Sequence, residues 1–241
     1  MRRLSINLLA ICLTLVLGLW SSHAMGKTYM VSIGISDYPG EVNDLTLPAR
    51  DAQTMKWLFE KNQDAETILI TDQQATVANI VSQLKAHLAK STSDDTVVMF
   101  YSGHGNKGQL ECYDGKLYYK TLWDILKNVR AKNKFIFINA CFSGSVRYKY
   151  SDIVNKDENI VFFTSSRTGE PTLELMLMRN GLFPAYLVRG LKGGADVNRD
   201  RAVTARELFD FVSKGVRGKS EDKQHPTMWG RYSDDLVIMK W

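Results

Sequence analysis

Cysteine is scarce in this chain. There are three in 241 residues, and Cys12 lies inside an N-terminal apolar stretch. Cys112 and Cys141 alone remain for the folded part, too few for a disulfide framework. There is no Cys-x-x-Cys pair and no pair of histidines at ligand spacing, which counts against a structural zinc site. Proline is also sparse, five in all, and no linker, low-complexity tract or internal repeat breaks the sequence. Basic residues such as Lys61, Lys85, Lys90, Lys127, Lys132 and Lys134 are scattered rather than gathered into a stripe, so nucleic acid is not expected as a partner. "GVRGKS" at Gly215–Ser220 is not a phosphate loop, because Ser213 stands where the first glycine would be needed.

Long apolar runs are missing too, with one exception. Residues 1–24 begin with Arg2 and Arg3, continue through an apolar stretch from Leu8 to Trp20, and end in Ser22-His23-Ala24. The stretch is shorter than the ~20 residues of a spanning helix. The small-x-small ending fits a signal-peptide cleavage site, so export is expected, with a mature chain starting near Met25. The expected location is secreted or periplasmic, with no membrane contact after cleavage. Removal of two arginines lowers the net charge from +5 to +3. Residues 25–241 then form a single domain, long enough for a sizeable core without a disulfide.

What is present is a succession of short apolar runs alternating with helical patterns. "TYMVSIGI" (Thr28–Ile35), "ETILIT", "DTVVMFYS", "KFIFINA", "ENIVFFTSS" and the closing "DDLVIMKW" read as strands. "LPARDAQTMKWLFEK" places Leu47, Asp51, Met55 and Leu58 at helical spacing, with Pro48 suited to a first turn. "TVANIVSQLKAHLAK", "TLWDILKNV", "GLFPAYLVRGL" and "TARELFDFVSKGV" are further helices, and Asp114-Gly115 marks a hairpin. Strands apolar on both faces belong to a sheet covered on both sides. The expected fold is α/β, a mostly parallel six-stranded sheet with helices on both faces, and its functional residues should lie beyond the carboxyl ends of the strands.

Two strands end in reactive residues. "VVMFYSGHG" runs into His104 and "FIFINACFSG" runs into Cys141, each wrapped in glycine and serine. A lone strand-end cysteine or histidine is commonly structural; the pair favours a Cys-His dyad. The histidine would activate the thiol, and the backbone N–H groups of Gly105 and Cys141 would stabilise a developing oxyanion.

The pairing of "FYSGHG" with "NACFSG" resembles the caspase-like cysteine peptidases, closest to bacterial metacaspase-like and orthocaspase proteins. "VSIGISDYPGEVNDLTLPARDAQTMKWLFE" resembles that family's first strand and helix, and "FPAYLVRGLKGGADVNRDRAVTARELFDFV" its small-subunit end, so the likeness spans residues 28–239. The resemblance implies a three-layer caspase-like fold. It also implies an endopeptidase acting on protein or peptide through an acyl-enzyme, with His104 and Cys141 as catalytic residues and no required cofactor. It further implies a pocket selecting Arg or Lys before the scissile bond. Asp51 matches one acidic pocket position; Asn139 stands where relatives carry the other, and lacks its charge. Asp51 reads equally as a polar residue in the first turn of a helix. The alternative to a peptidase is a catalytically inactive binding or regulatory module on the same fold.

Two further features stay open at this level. Cys112 can be a hairpin core residue, a disulfide partner of Cys141, or a residue near the cleft; hairpin packing is favoured. "DVNRDRAVTARE" spaces Asp196, Asn198, Asp200, Ala202, Thr204 and Glu207 as an EF-hand loop spaces its ligands, which suggests Ca²⁺, but Arg201 occupies the position that usually needs glycine. The same residues also form a capping box, with Thr204 as N-cap and Glu207 three positions on. The polar stretch Val146–Asn159, carrying Arg147, Lys149 and Lys156, is either an autoprocessing segment or an ordinary exposed loop.

Overall fold

The computed structural model describes residues 26–147, 159–170 and 180–241. The proposed signal peptide and most of the Val146–Asn159 stretch lie outside the described residues.

Six strands build the main sheet: β1 (Thr28–Gly34), β2 (Glu66–Thr71), β3 (Thr96–Ser102), β7 (Asn133–Asn139), β8 (Asn159–Thr164) and β10 (Thr227–Arg231). A small sheet of β4 (Gly105–Asn106), β5 (Gln109–Glu111) and β6 (Lys116–Tyr118) follows β3, and β9 (Ala202–Thr204) pairs with β11 (Val237–Lys240). The main order is β10-β8-β7-β3-β1-β2, parallel throughout except for the antiparallel edge strand β10.

Among the described residues, five α-helices cover this sheet: α1 (Pro48–Gln63), α2 (Val77–Leu88), α3 (Tyr119–Leu126), α4 (Leu182–Arg189) and α5 (Ala205–Lys219). Strand alternation divides their cores. Val97, Met99 and Tyr101 of β3, with Ile136 and Ile138 of β7, meet Ile80, Leu84 and Leu88 of α2 and Leu122 and Trp123 of α3. Val98, Phe100, Phe135 and Phe137 face the other way, onto Met55, Leu58 and Phe59 of α1, Leu187 of α4 and Leu208, Val212 and Val216 of α5. Each fully buried large side chain contributes about 1.5–3 kcal/mol. The layering is therefore helix, sheet, helix, as the apolar runs require.

The helices start where their residues dictate. Pro48 opens α1. Thr76 caps α2, its side chain accepting from the Asn79 N–H. Thr204 and Glu207 form the expected capping box at the start of α5. The Asp114-Gly115 hairpin is present, with the Cys112 N–H donating to the Gly115 carbonyl at 2.7 Å.

One expected strand belongs elsewhere. "DDLVIMKW" does not supply the sixth strand of the main sheet: β11 pairs with β9 in the two-stranded sheet, burying Ile238 and Met239 against the α1–α5 core. The sixth strand is β10, whose sequence "TMWGR" has only Trp229 buried. Gly230 adopts φ +140, and a Cβ there would stand 1.9 Å from the Ile160 carbonyl oxygen. Only glycine permits that approach. Gly230→Ala should therefore lower unfolding free energy by about 2 kcal/mol or more, read as a shift of the urea midpoint at constant slope. An unchanged midpoint would contradict this packing.

Candidate active site

Strands β3 and β7 pair in parallel with Ser102 opposite Asn139. Both strands thus stop at one level, and His104 and Cys141, each two residues further, emerge side by side. Two glycines allow the loops to close on one another. A Cβ on Gly103 would lie 2.6 Å from the Tyr38 hydroxyl oxygen, and one on Gly105 would lie 2.8 Å from Ala140 Cβ and 2.9 Å from the Cys141 carbonyl oxygen. The backbones at Gly105 and Cys141 are consequently in contact.

The histidine is held from several directions. Its Nε2 sits 2.8 Å from the Asn43 carbonyl oxygen. A carbonyl only accepts, so Nε2 carries the proton and Nδ1 is the ring's basic nitrogen. The Tyr38 ring packs on the imidazole at 4.8 Å between centroids, and the Tyr38 oxygen accepts the His104 N–H at 2.8 Å. The Tyr101 hydroxyl donates to the carbonyls of His104 (2.8 Å) and Glu111 (2.6 Å). Burial is the main cause that pushes the Tyr38 phenol up to about 12 and the Tyr101 phenol well above its usual value. Both remain neutral hydrogen-bonding groups at physiological pH.

The cysteine loop is braced as firmly. Ser165 Oγ accepts the Ala140 N–H at 3.1 Å, and Ser165 and Ser166 hydroxyls both donate to the Ala140 carbonyl at 3.2 Å. Phe142 is held at φ +56, a left-handed conformation that costs a bulky residue about 1 kcal/mol or more. Its N–H donates to the Glu170 carbonyl at 3.0 Å, and the Gly144 N–H to the Ser166 carbonyl at 3.0 Å. These bonds hold the turn that starts at Cys141. A partly exposed thiol, an oriented imidazole and adjoining backbone amides are the groups that acyl transfer to sulfur uses.

Asp51 and Asn139 are also brought together, at the α1 side of the strand ends. Both are buried. Asp51 Oδ2 accepts from the Ser102 hydroxyl at 3.0 Å, and Oδ1 accepts from Asn180 Nδ2 at 2.7 Å and the Gly181 N–H at 3.1 Å. Asn139 Nδ2 donates to Ser102 Oγ at 3.0 Å. Asp51 is therefore not an exposed first-turn residue; it ties α1, β3 and the start of α4 together.

Sequence reading missed Tyr38, Asn43 and Ser102. Ser102 stands in the quoted "YSGHG", so its position was a signal. Tyr38 and Asn43 reach His104 through a loop that returns from β1, and a backbone carbonyl has no sequence signature at all.

Cys112 and Cys141 are not joined to each other, so the disulfide between them does not hold. Cys112 is buried in the hairpin, and burial, with the nearby Asp114 carboxylate adding to it, pushes its thiol up to about 12. The 196–207 loop does bring its residues together. The Asp200 N–H donates to Asp196 Oδ1 (3.2 Å) and Asn198 Oδ1 (3.0 Å), and the Ala202 N–H to Asp200 Oδ1 (2.9 Å). Glu207 accepts from the N–H groups of Val197 and Thr204, and Arg201 takes the expected positive φ, +67. These oxygens are engaged with the loop's own backbone. Among the described residues no group of three His, Cys, Asp or Glu side chains is gathered to hold a metal.

The difference between the cysteines is directly measurable. At pH 8 Cys112 is a protonated, buried thiol and should resist iodoacetamide, whereas Cys141 should alkylate. Peptide mass mapping would detect this, and equal labelling of both would refute the assigned environments.

The sequence matches a family model for the caspase domain of the C14 peptidases over residues 28–237. No curated protein matches it. Among solved structures, caspase-1 from Spodoptera frugiperda is similar at a TM-score of 0.71 and 15% identity, covering 90% of this chain and 91% of that one. A Geobacter sulfurreducens protein is similar at a TM-score of 0.67 and 15% identity, covering 88% and 97%. At that identity these likenesses carry the fold alone. With the family match spanning most of its length and the same three-layer fold, the chain belongs to the caspase-domain family of cysteine peptidases.

Proposed function

We propose that the protein is an exported cysteine endopeptidase, secreted or periplasmic, in which Cys141 is the nucleophile and His104 its base. The observation that carries this reading is the oriented imidazole: Nε2 bound to the Asn43 carbonyl leaves Nδ1 as the proton acceptor, beside a loop whose backbone touches that of Cys141. In the proposed reaction His104 takes the thiol proton and the thiolate attacks the scissile carbonyl. Backbone N–H groups of Gly105 and Cys141 receive the oxyanion. His104 then protonates the leaving amine, and water hydrolyses the acyl-enzyme with His104 as base. No cofactor enters these steps. The substrate would be protein or peptide with Arg or Lys before the scissile bond, supported by the buried Asp51 carboxylate at the mouth of β3.

Calcium is a separate proposal at the 196–207 loop. An ion there would take Asp196, Asn198, Asp200, the Ala202 carbonyl, Thr204 and Glu207 as ligands, displacing the loop's own N–H donors and stiffening the approach to α5. Millimolar Ca²⁺ should then release heat and raise the melting midpoint; a flat titration removes the ion.

One experiment tests the main reading. Expressed with residues 1–24 and recovered from the periplasm of a bacterial host, the mature protein should begin near Met25 and cleave fluorogenic peptides ending in Arg or Lys. Cys141→Ala should be exported and trimmed identically, yet lose activity by at least about 10³-fold. A wild-type protein that cleaves no peptide, with reductant and with or without Ca²⁺, would leave the caspase-fold binding module as the reading.

A further inference from the structure

The turn that carries Cys141 is backed by the 165–170 segment. The Phe142 N–H donates to the Glu170 carbonyl at 3.0 Å, and a Cβ on Gly144 would stand 2.8 Å from the Thr168 nitrogen and 2.9 Å from the Arg167 carbonyl carbon. That segment is clamped in turn by two neighbouring residues between α5 and β10. Gln224 Nε2 donates to the Ser165 carbonyl at 2.8 Å, and His225 Nδ1 lies 3.1 and 3.2 Å from the two Glu170 carboxylate oxygens. On its other side His225 Nε2 lies 3.3 Å from Asp222 Oδ1. Glu221 (φ +52) and Asp222 (φ +60) are both left-handed, and Arg217 Nε donates to the same Asp222 oxygen at 2.8 Å. Arg217, with His225 adding to it, holds the Asp222 carboxyl below its usual range. The remaining charged groups here are Arg167, 3.4 Å from Glu170 Oε1, and the Glu221–Lys223 pair of the same turn. Carboxylates only accept hydrogen bonds, so the ring can face both with an N–H only as an imidazolium. The neutral ring has one N–H and turns a lone pair toward the other carboxylate.

We infer that His225 is a positioning residue for the nucleophile: by bridging Glu170 and Asp222 it fixes the carbonyl that holds the Phe142 amide, and with it the turn that presents Cys141. The bridge is complete below the titration of His225 and is lost as pH rises through it. Catalysis therefore needs two histidines in opposite states, His104 neutral as the base and His225 charged as the brace. His225 touches neither substrate nor thiol; it acts through Glu170 alone. This rests on the peptidase reading above and adds a pH-dependent support to the same site.

The test is the pH dependence of kcat for the mature protein on a fluorogenic peptide ending in Arg. The wild type should rise as His104 loses its proton and then fall by about fivefold or more on the alkaline side. The midpoint of that fall should match the titration of the His225 ring followed by NMR in the Cys141→Ala protein. His225→Arg keeps a cation between the carboxylates at every pH, so it should retain activity at the optimum and lose the alkaline fall. Glu170→Gln should lose the fall too, because an amide can donate to the bare nitrogen of the neutral ring. His225→Phe should lower kcat about tenfold across the range with KM little changed; if it does not fold, the His225→Arg profile decides alone. A wild-type profile without the fall, a fall that persists in His225→Arg, or variants that move only the melting midpoint overturn the inference and leave the peptidase intact. No cleavage at any pH overturns both.

Discussion

The site depends on one register. β3 and β7 run parallel with Thr96 opposite Asn133 and Ser102 opposite Asn139, unbroken over seven residues. A slip of one residue would turn every side chain to the opposite face. Phe100 and Phe137 would leave the α1–α5 core, and Tyr101 and Ile138 would leave the α2–α3 core. Burial on both faces therefore fixes the register more firmly than any hydrogen bond within it. Since His104 and Cys141 each follow their strand by two residues, the hydrophobic core sets their juxtaposition before any polar contact is made. Packing thus performs the entropic part of assembling a two-residue site.

The polar contacts refine what the core has placed. His104 is gripped by elements distant in sequence: Asn43 and Tyr38 from the loop after β1, and Tyr101 from within β3. Cys141 is followed by a strained Phe142, held by the 165–170 segment beyond β8. The two residues are thus braced from opposite flanks of the sheet, one through β1 and the other through β8. Strain at Phe142 persists because its amide, the Gly144 amide and the serine hydroxyls at Ala140 over-determine the turn. Rigid strands deliver the groups, and short loops tied down on both sides aim them.

What the sequence made legible follows from the same physics. Strands such as "VVMFYS" and "KFIFIN" are apolar on both faces because both faces are covered, so their type and burial could be read directly. That His104 and Cys141 follow adjacent strand ends could be read because each stands two residues beyond an apolar run. β10 could not be read this way. It is an edge strand with only Trp229 buried, held by a glycine that admits a neighbouring backbone, so it carries no apolar pattern. "DDLVIMKW" was legible as a strand, but its partner β9 is three residues long inside a segment dominated by turn and ligand-like residues. Ser102 was visible as a small residue beside His104; its bonds to Asp51 and Asn139 exist only once α1, β3 and β7 are packed.

The Asp51–Ser102–Asn139 chain shows how a buried carboxylate is accommodated at the end of the sheet. A carboxylate buried beside α1 must have its oxygens satisfied or it becomes a liability of several kcal/mol. Three donors from β3 and the 180–181 turn meet that need. A second carboxylate at position 139 would face Ser102 with no proton to receive from it, because that proton is already committed to Asp51. The carboxamide removes this conflict: its N–H donates where a carboxylate could only repel. The arrangement ties α1, β3 and β7 together at the carboxyl end of the sheet.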